Sequence, residues 1–214
     1  VVIDAENGPV WIDEDAVIMA NAVLEGPIYI GKKSRIKIGA KLYENTTIGP
    51  VCKIGGEVEG SIIQGYSNKQ HDGFLGHAYL GSWVNLGADT NNSDLKNNYG
   101  MIRVLLNGKP VNSGKRFLGL MMGDHSKTAI NTMFNTGTIV GVNCNIFGAG
   151  MPPKFVPSFS WGGAEGIADF ILDKAMHIAK NVMARRNVEF THRDEQLFKE
   201  VRRYSSKIEK SILV

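Results

Sequence analysis

The chain has 214 residues, 24 of them Lys or Arg and 21 Asp or Glu, for a formal net charge of +3. That length suits one or two domains with a real core, and so small a charge excess gives no ground for a nucleic-acid partner. No apolar run reaches the roughly 18 residues of a transmembrane helix and no signal-peptide pattern opens the chain, so the expected setting is cytoplasmic, without a membrane partner.

Residues 1–9 read as an opening turn or irregular first coil. The chain starts on Val1 with a repeat running almost at once, the pattern of a fragment whose preceding domain is absent. From Val10 to Val58 a large aliphatic stands at every sixth residue: Ile12, Ile18, Leu24, Ile30, Ile36, Leu42, Ile48 and Ile54. Four places after each comes a second, mostly small series: Ala16, Ala22, Ile28, Ser34, Ala40, Thr46, Cys52 and Val58. A helix repeats its apolar face at about 3.6 residues and a strand at about 2, so neither explains a strict six. Six is the period of a parallel β-helix, in which each hexapeptide supplies one short strand and one corner. The fold class is therefore all-β, and 25 glycines fit its many tight corners. Lys32, Lys33, Arg35, Lys37 and Lys41 form an outward basic patch, readable as a solvated face or as a phosphate site.

The count slips between Gly60 and Gln70, before the polar run ends at Gly73, and resumes at Phe74, Leu80 and Leu86. A second break spans residues 91–116. Loop composition from Asn91 to Gly100 gives way to two apolar runs around Asn107-Gly108, a strong hairpin signal, so an arm is expected there. The ladder returns at Met122, Thr128, Phe134, Val140 and Ile146, and residues 152–163 read as a linker. Beyond it the period becomes helical. Leu172, Met176, Ala179 and Met183 share one face, and Arg185-Arg186-Asn187 stops that helix. Thr191 with Asp194 resembles a capping box for a second helix, with Leu197, Val201, Tyr204 and Ile208 as its face. The pair is expected to cover the β-helix end or a neighbouring subunit. The division is thus 1–158 for the β-helix, arm 91–116 included, and 159–214 for a linker and helical extension.

Breaks in a strict pattern are where function shows. Cys52 and Cys144 occupy the small inward position and read as buried hydrophobes of a reducing cytosol rather than a reactive pair. His125, beside Asp124 at a corner, reads as a surface turn residue. His71 and His77 stand one repeat apart, on successive faces, without the close His pair of β-helix zinc enzymes, so no metal site is expected. His71 differs: at a corner in the deformed segment it is placed to take a proton near neutral pH.

The stretch His71 to Thr90, His-Asp-Gly-Phe-Leu-Gly-His-Ala-Tyr-Leu-Gly-Ser-Trp-Val-Asn-Leu-Gly-Ala-Asp-Thr, resembles the acetyltransferase half of bifunctional sugar-1-phosphate nucleotidylyltransferase/acetyltransferases. With Ser67-Asn68-Lys69-Gln70 before it and Asn91-Asn92-Ser93-Asp94-Leu95-Lys96 after it, the likeness is greatest to sugar-nucleotidyltransferase proteins of Bacteroidetes type. It covers roughly residues 1–158, and only the last group shares the helical tail. The resemblance implies a left-handed β-helix, a homotrimer and acetyl-CoA as co-substrate, with Mg2+ only if a nucleotidyltransferase domain precedes this chain. It implies His71 as general base for direct attack of an amino-sugar 1-phosphate on the thioester, and Ala88 as a backbone N–H donor to the thioester oxygen. It places Phe74, Asn85 and Asp94 at the sugar; Lys69, Lys96 and Arg103 are this chain's own candidates to compensate for the family's phosphate cations. Ala88, Ala129, Ile130 and Ala149 fall along the CoA arm. Phe74 stands where the family has Tyr, Asp94 where it has Asn, and Tyr43 and Ser61 where it places an Arg and a Lys for phosphate. Two other readings stay open: a non-catalytic trimerising or regulatory β-helix of a nucleotidylyltransferase, and a zinc-dependent, carbonic-anhydrase-like one.

Overall fold

The computed structural model describes residues 1–106 and 109–209. The chain winds as a left-handed parallel β-helix with three strand faces. Face A stacks Val2–Asp4, Val23–Glu25, Lys41–Leu42, Glu57–Glu59 and Phe74–Gly76. Face B is the longest, eight strands from Val10–Ile12 to Phe155–Val156. Face C begins with Val17–Ile18, Arg35–Ile36, Lys53–Ile54 and Asn68–Lys69. Single bridges through Asn85 carry it on to Lys127–Thr128 and Asn145–Ile146.

The ladder residues point inward, as alternation along a strand requires. Leu24, Ile30, Ile36, Ile48 and Ile54 have no exposed surface, and burying each such side chain contributes about 1.5–3 kcal/mol. Between faces the chain turns through left-handed backbone at Asp15, Asn21, Lys33 and Asn45, mostly residue types that tolerate it. Cys52 and Cys144 are buried and free, and burial pushes their thiols up to about 11 and about 12.

Several expectations change here. The opening is ordered: Val2–Asp4 pairs with Val23–Glu25 on face A. The slip in the count lies at three shortened corners, Ile54 to Val58, Val58 to Ile63 and Leu75 to Leu80. Between Ile63 and Leu75 the spacing of six holds, but Lys69 takes the aliphatic's place. Leu75, not Phe74, fills the inward position. Asn91–Asn92 belongs to the coil, pairing with Met133–Phe134, and Asn92 is buried in another ladder place. The arm leaves after Asp94, closes at its root through Leu95 and Phe117, and pairs Arg103–Leu106 with Lys109–Asn112 antiparallel. The Asn107-Gly108 turn lies outside the described residues. Within 152–163, Phe155–Val156 and Ser160–Gly163 extend faces B and C rather than forming a linker.

Helix α1 is Leu172–Ala184 and α2 is His192–Ile208. The capping box is present: Thr191 Oγ1 accepts from the Asp194 N–H while the Asp194 carboxylate accepts from the Thr191 N–H. The buried face of α2 is Phe198 and Ser205 with the expected Val201 packed beside them, whereas Leu197 and Tyr204 are 59% and 64% exposed. The reason is what α2 packs on. Tyr66, Trp83 and His125 stand two residues before the bridged Asn68, Asn85 and Lys127, so they stack in one column at the corner between faces B and C. Tyr66 lies flat on Trp83 at 4.2 Å, Trp83 on His125 at 5.9 Å, and Phe198 meets His125 edge-on at 5.1 Å. The helices therefore cover a long edge of their own coils. His125 is buried, not a surface turn residue, and burial holds its imidazole down at about 3.

Candidate functional site

Register brings most of the expected site residues to one edge, the corner between faces C and A. Asn68 pairs with Asn85, so three residues on His71 stands beside Ala88; Asn85 pairs with Lys127, so Ile130 comes next. Backbone bonds tie these corners together: the Asp89 N–H donates to Asp72 O at 3.1 Å and the Asn131 N–H to Ala88 O at 2.8 Å. Lys127–Thr128 pairs with Asn145–Ile146, which carries the edge on to Ala149. Ala129 is half-buried on this edge, and Ile130 and Ala149 are exposed.

His71 is exposed, and its side chain makes no hydrogen bond among the described residues. Its backbone is braced from within. Lys69 is 2% exposed and its ammonium donates to His71 O at 2.8 Å and Gly55 O at 3.1 Å. An inward ammonium so bonded cannot also meet a sugar phosphate in solvent, so Lys69 is a brace rather than a phosphate ligand. Burial pulls it down to about 8. Gly73, at φ +112, is required here: a Cβ would stand 2.4 Å from Thr90 O.

Phe74, Asp94 and His77 lie next on face A. Phe74 is half-buried, its N–H donating to Asn91 Oδ1 at 2.7 Å. Asp94 Oδ2 sits 2.7 Å from His77 Nδ1, a half-buried contact, with the His77 ring tilted against Phe117. A carboxylate on one ring nitrogen fixes the imidazole and leaves Nε2 for chemistry. Sequence spacing separates this pair by a coil, and only register reveals it. Around them face A is acidic: burial holds the Glu59 carboxyl above its usual value, with Asp94, Glu44 and Glu57 adding and His77 opposing. Ser61 is fully buried, bonded to Glu59 O, so it offers nothing to a ligand. Asn85 points to face C, where its carbonyl accepts from Asn68 Nδ2 at 3.3 Å.

The Ala88 N–H has no acceptor among the described residues, as an oxyanion donor requires. The N–H groups of Ala20 and Lys32 at equivalent corners are equally free, so only the place beside His71 sets Ala88 apart. No three His, Cys, Asp or Glu side chains come together as a metal site among the described residues. No described helix is long and apolar enough to cross a membrane. A separate cleft, of about 560 Å³, opens between the arm and α2, lined by apolar residues such as Leu105 and Ile139 together with Glu200, Arg203 and Glu209.

No family model matches the chain. It is 35% identical over 142 residues to the bifunctional sugar-1-phosphate nucleotidylyltransferase/acetyltransferase of Sulfurisphaera tokodaii, covering 65% of this chain and 35% of that protein. It is 34% identical over 103 residues to the bifunctional protein GlmU of Methanocaldococcus jannaschii, covering 48% and 24%. The chain thus spans only 24–35% of the length of these curated relatives. Among solved structures, the polysialic acid O-acetyltransferase OatWY superposes with a TM-score of 0.38 at 14% identity, over 78% of this chain and 84% of that one.

Proposed function

We propose that this chain is an acetyl-CoA-dependent N-acetyltransferase acting on an amino-sugar phosphate, as the acyltransferase part of a longer sugar-1-phosphate nucleotidylyltransferase. The observation that carries this reading is the single edge holding His71, Ala88, Ala129, Ile130 and Ala149 in sequence along the β-helix. A linear cofactor arm needs such a track, and the relatives' printed activity supplies the chemistry. His71 takes the proton of the acceptor amine as its nitrogen attacks the thioester carbon. A C–N bond forms, the C–S bond breaks, and the departing thiolate recovers the proton from the imidazolium. The free N–H of Ala88 faces the developing oxyanion. An acyl-cysteine detour is disfavoured, because both thiols are buried and held protonated.

A homotrimer with its site between subunits belongs to the same proposal. It is supported by the outward row of face B, where Trp11, Tyr29, Ile62 and Tyr79 lie in register and are 37–65% exposed. One observation favours a second assignment of the base: His77, unlike His71, has an orienting carboxylate. If CoA binds the folded chain, a hundredfold excess over Kd should add about 2.7 kcal/mol of stability. A melting temperature indifferent to CoA would remove the transferase reading.

A further inference from the structure

Face C, next to the His71 edge, carries a cluster of cations that the transfer chemistry leaves unused. Its outward row runs Arg35, Lys53, Asn68, Asn85, Lys127 in register. The end of α1 descends onto this row: Arg186 donates to Asn68 Oδ1 at 2.7 Å and to Val51 O at 3.4 Å. Lys53, Lys127, Arg185 and Arg186 then line one cavity of about 430 Å³, which no acidic residue lines.

Some cations elsewhere on the described surface pair with carboxylates, as Lys32 does with Glu14, Lys41 with Glu57, Arg202 with Asp169 and Arg203 with Glu200; what sets the cleft apart is four cations lining one cavity. None of the four cleft cations is in an ion pair among the described residues. Lys127 is largely withdrawn from solvent, and its ammonium is spent on a single bond, to His125 O at 2.8 Å. Lys53 is held below its usual value by burial and by Arg186, Arg35, Lys37 and Arg185. The C-terminus of α1 offsets part of the charge of the two arginines, but it does nothing for the lysines facing them. Like charges gathered in a concave, partly desolvated site without a counter-charge attract an anion.

The cleft also has an aromatic wall, the Tyr66–Trp83 stack. Its border decides which anion. Gln70 lines it and immediately precedes His71. Across that corner face A presents Glu57, Glu59 and Asp94, which repel phosphate. We propose that this cleft, completed by the C-terminal helix, binds the phosphate group of the acyl acceptor, so that Lys53, Lys127, Arg185 and Arg186 replace the phosphate-binding cations missing at Tyr43 and Ser61. The assignment of ligand rests on the transferase reading; the anion site itself does not.

The test compares the whole chain with a Lys53→Gln/Arg185→Gln variant, since neither side chain is bonded within the described fold, whereas Arg186 anchors α1. Calorimetric titration uses glucosamine 1-phosphate, glucosamine, inorganic phosphate and CoA. The expected result is binding of both phosphate compounds, none of glucosamine, and a loss of about ten- to a hundredfold for the sugar phosphate in the variant, as for lost charged hydrogen bonds. CoA affinity should not move, and with activity the change should fall on KM for the phosphorylated amine. Sugar-phosphate binding that is absent or unaltered while CoA binds would overturn the cleft and spare the transferase. A loss of CoA affinity in the variant would assign the cleft to the cofactor's phosphates instead and overturn the acceptor assignment. Phosphate binding at the cleft without any CoA binding would sink the transferase reading and keep the anion site.

Discussion

Coils built from residues 10–54 and coils built from residues 63–134 share one backbone plan and differ in what fills them. The first set is filled by Leu24, Ile30, Ile36, Leu42 and Ile48, stacked without a polar atom in the ladder. In the second, Lys69, Asn92 and Thr128 take ladder places, and each is hydrogen-bonded. Asn92 shows why. Its side-chain amide donates to Gly76 O at 2.9 Å and accepts from the Gly76 N–H at 3.0 Å, standing in for a strand where the arm departs. Lys69 likewise ties the His71 corner to the coil below. Apolar filling makes a uniform wall; polar filling holds particular carbonyls in place, which a site needs.

That contrast can be broken at either end. Ile36→Ala removes buried volume from the regular coils and should cost about 2–5 kcal/mol in denaturant unfolding, with the chemistry of the folded fraction unchanged. Lys69→Met should cost less, about 1–3 kcal/mol for two carbonyls left without a donor, yet should slow any reaction that depends on His71. Its pH dependence has a definite sign. Lys69 titrates at about 8 when folded against an ordinary 10.5, so between those values the unfolded chain holds more protons and this group's contribution rises with pH. The stability gap between wild type and Lys69→Met should therefore widen from pH 8 to 10.5. The buried thiols pull the other way above pH ~9 but do so in both proteins.

The smallest effect concerns the helical cover. His125 stays neutral in the fold down to about pH 3 and protonates near 6.5 when unfolded, so its contribution is lost as pH falls through that window. At pH 5 the loss is about 2 kcal/mol at most, and His125→Phe, which keeps the stack on Trp83, should abolish that part of the acid sensitivity. Equal acid sensitivity in both proteins would refute the buried sandwich.

The regular coils were legible because a strict period with aliphatic filling has a single physical reading, and Leu24 to Ile54 fall where that reading places them. The middle coils misled it. Counting aliphatics assigns Phe74 inward because Lys69 does not look like a core residue, and the buried lysine became visible only with its carbonyl partners. Helical periodicity alone likewise gives α2 a face of Leu197, Val201, Tyr204 and Ile208, of which Val201 does pack on the cluster that holds Phe198 while Leu197 and Tyr204 are exposed. The neighbour of α2, His125, is distant in sequence and sits on an edge that no period marks. His71, Ala88, Ala129, Ile130 and Ala149 lie on one edge because they fall at four successive corners, Ala129 and Ile130 sharing one, and the motif order already encodes that. The His77–Asp94 contact and the Lys53, Lys127, Arg185 and Arg186 cleft depend on register between coils and on where α1 ends, which local patterns do not carry.

The most direct measurement is the rate of thiol release from acetyl-CoA with glucosamine 1-phosphate, compared for wild type, His71→Ala and His77→Ala. The account predicts a loss of about 10²–10⁴-fold for His71→Ala and a smaller loss for His77→Ala. Thiol release undiminished in His71→Ala, or abolished only in His77→Ala, would contradict it.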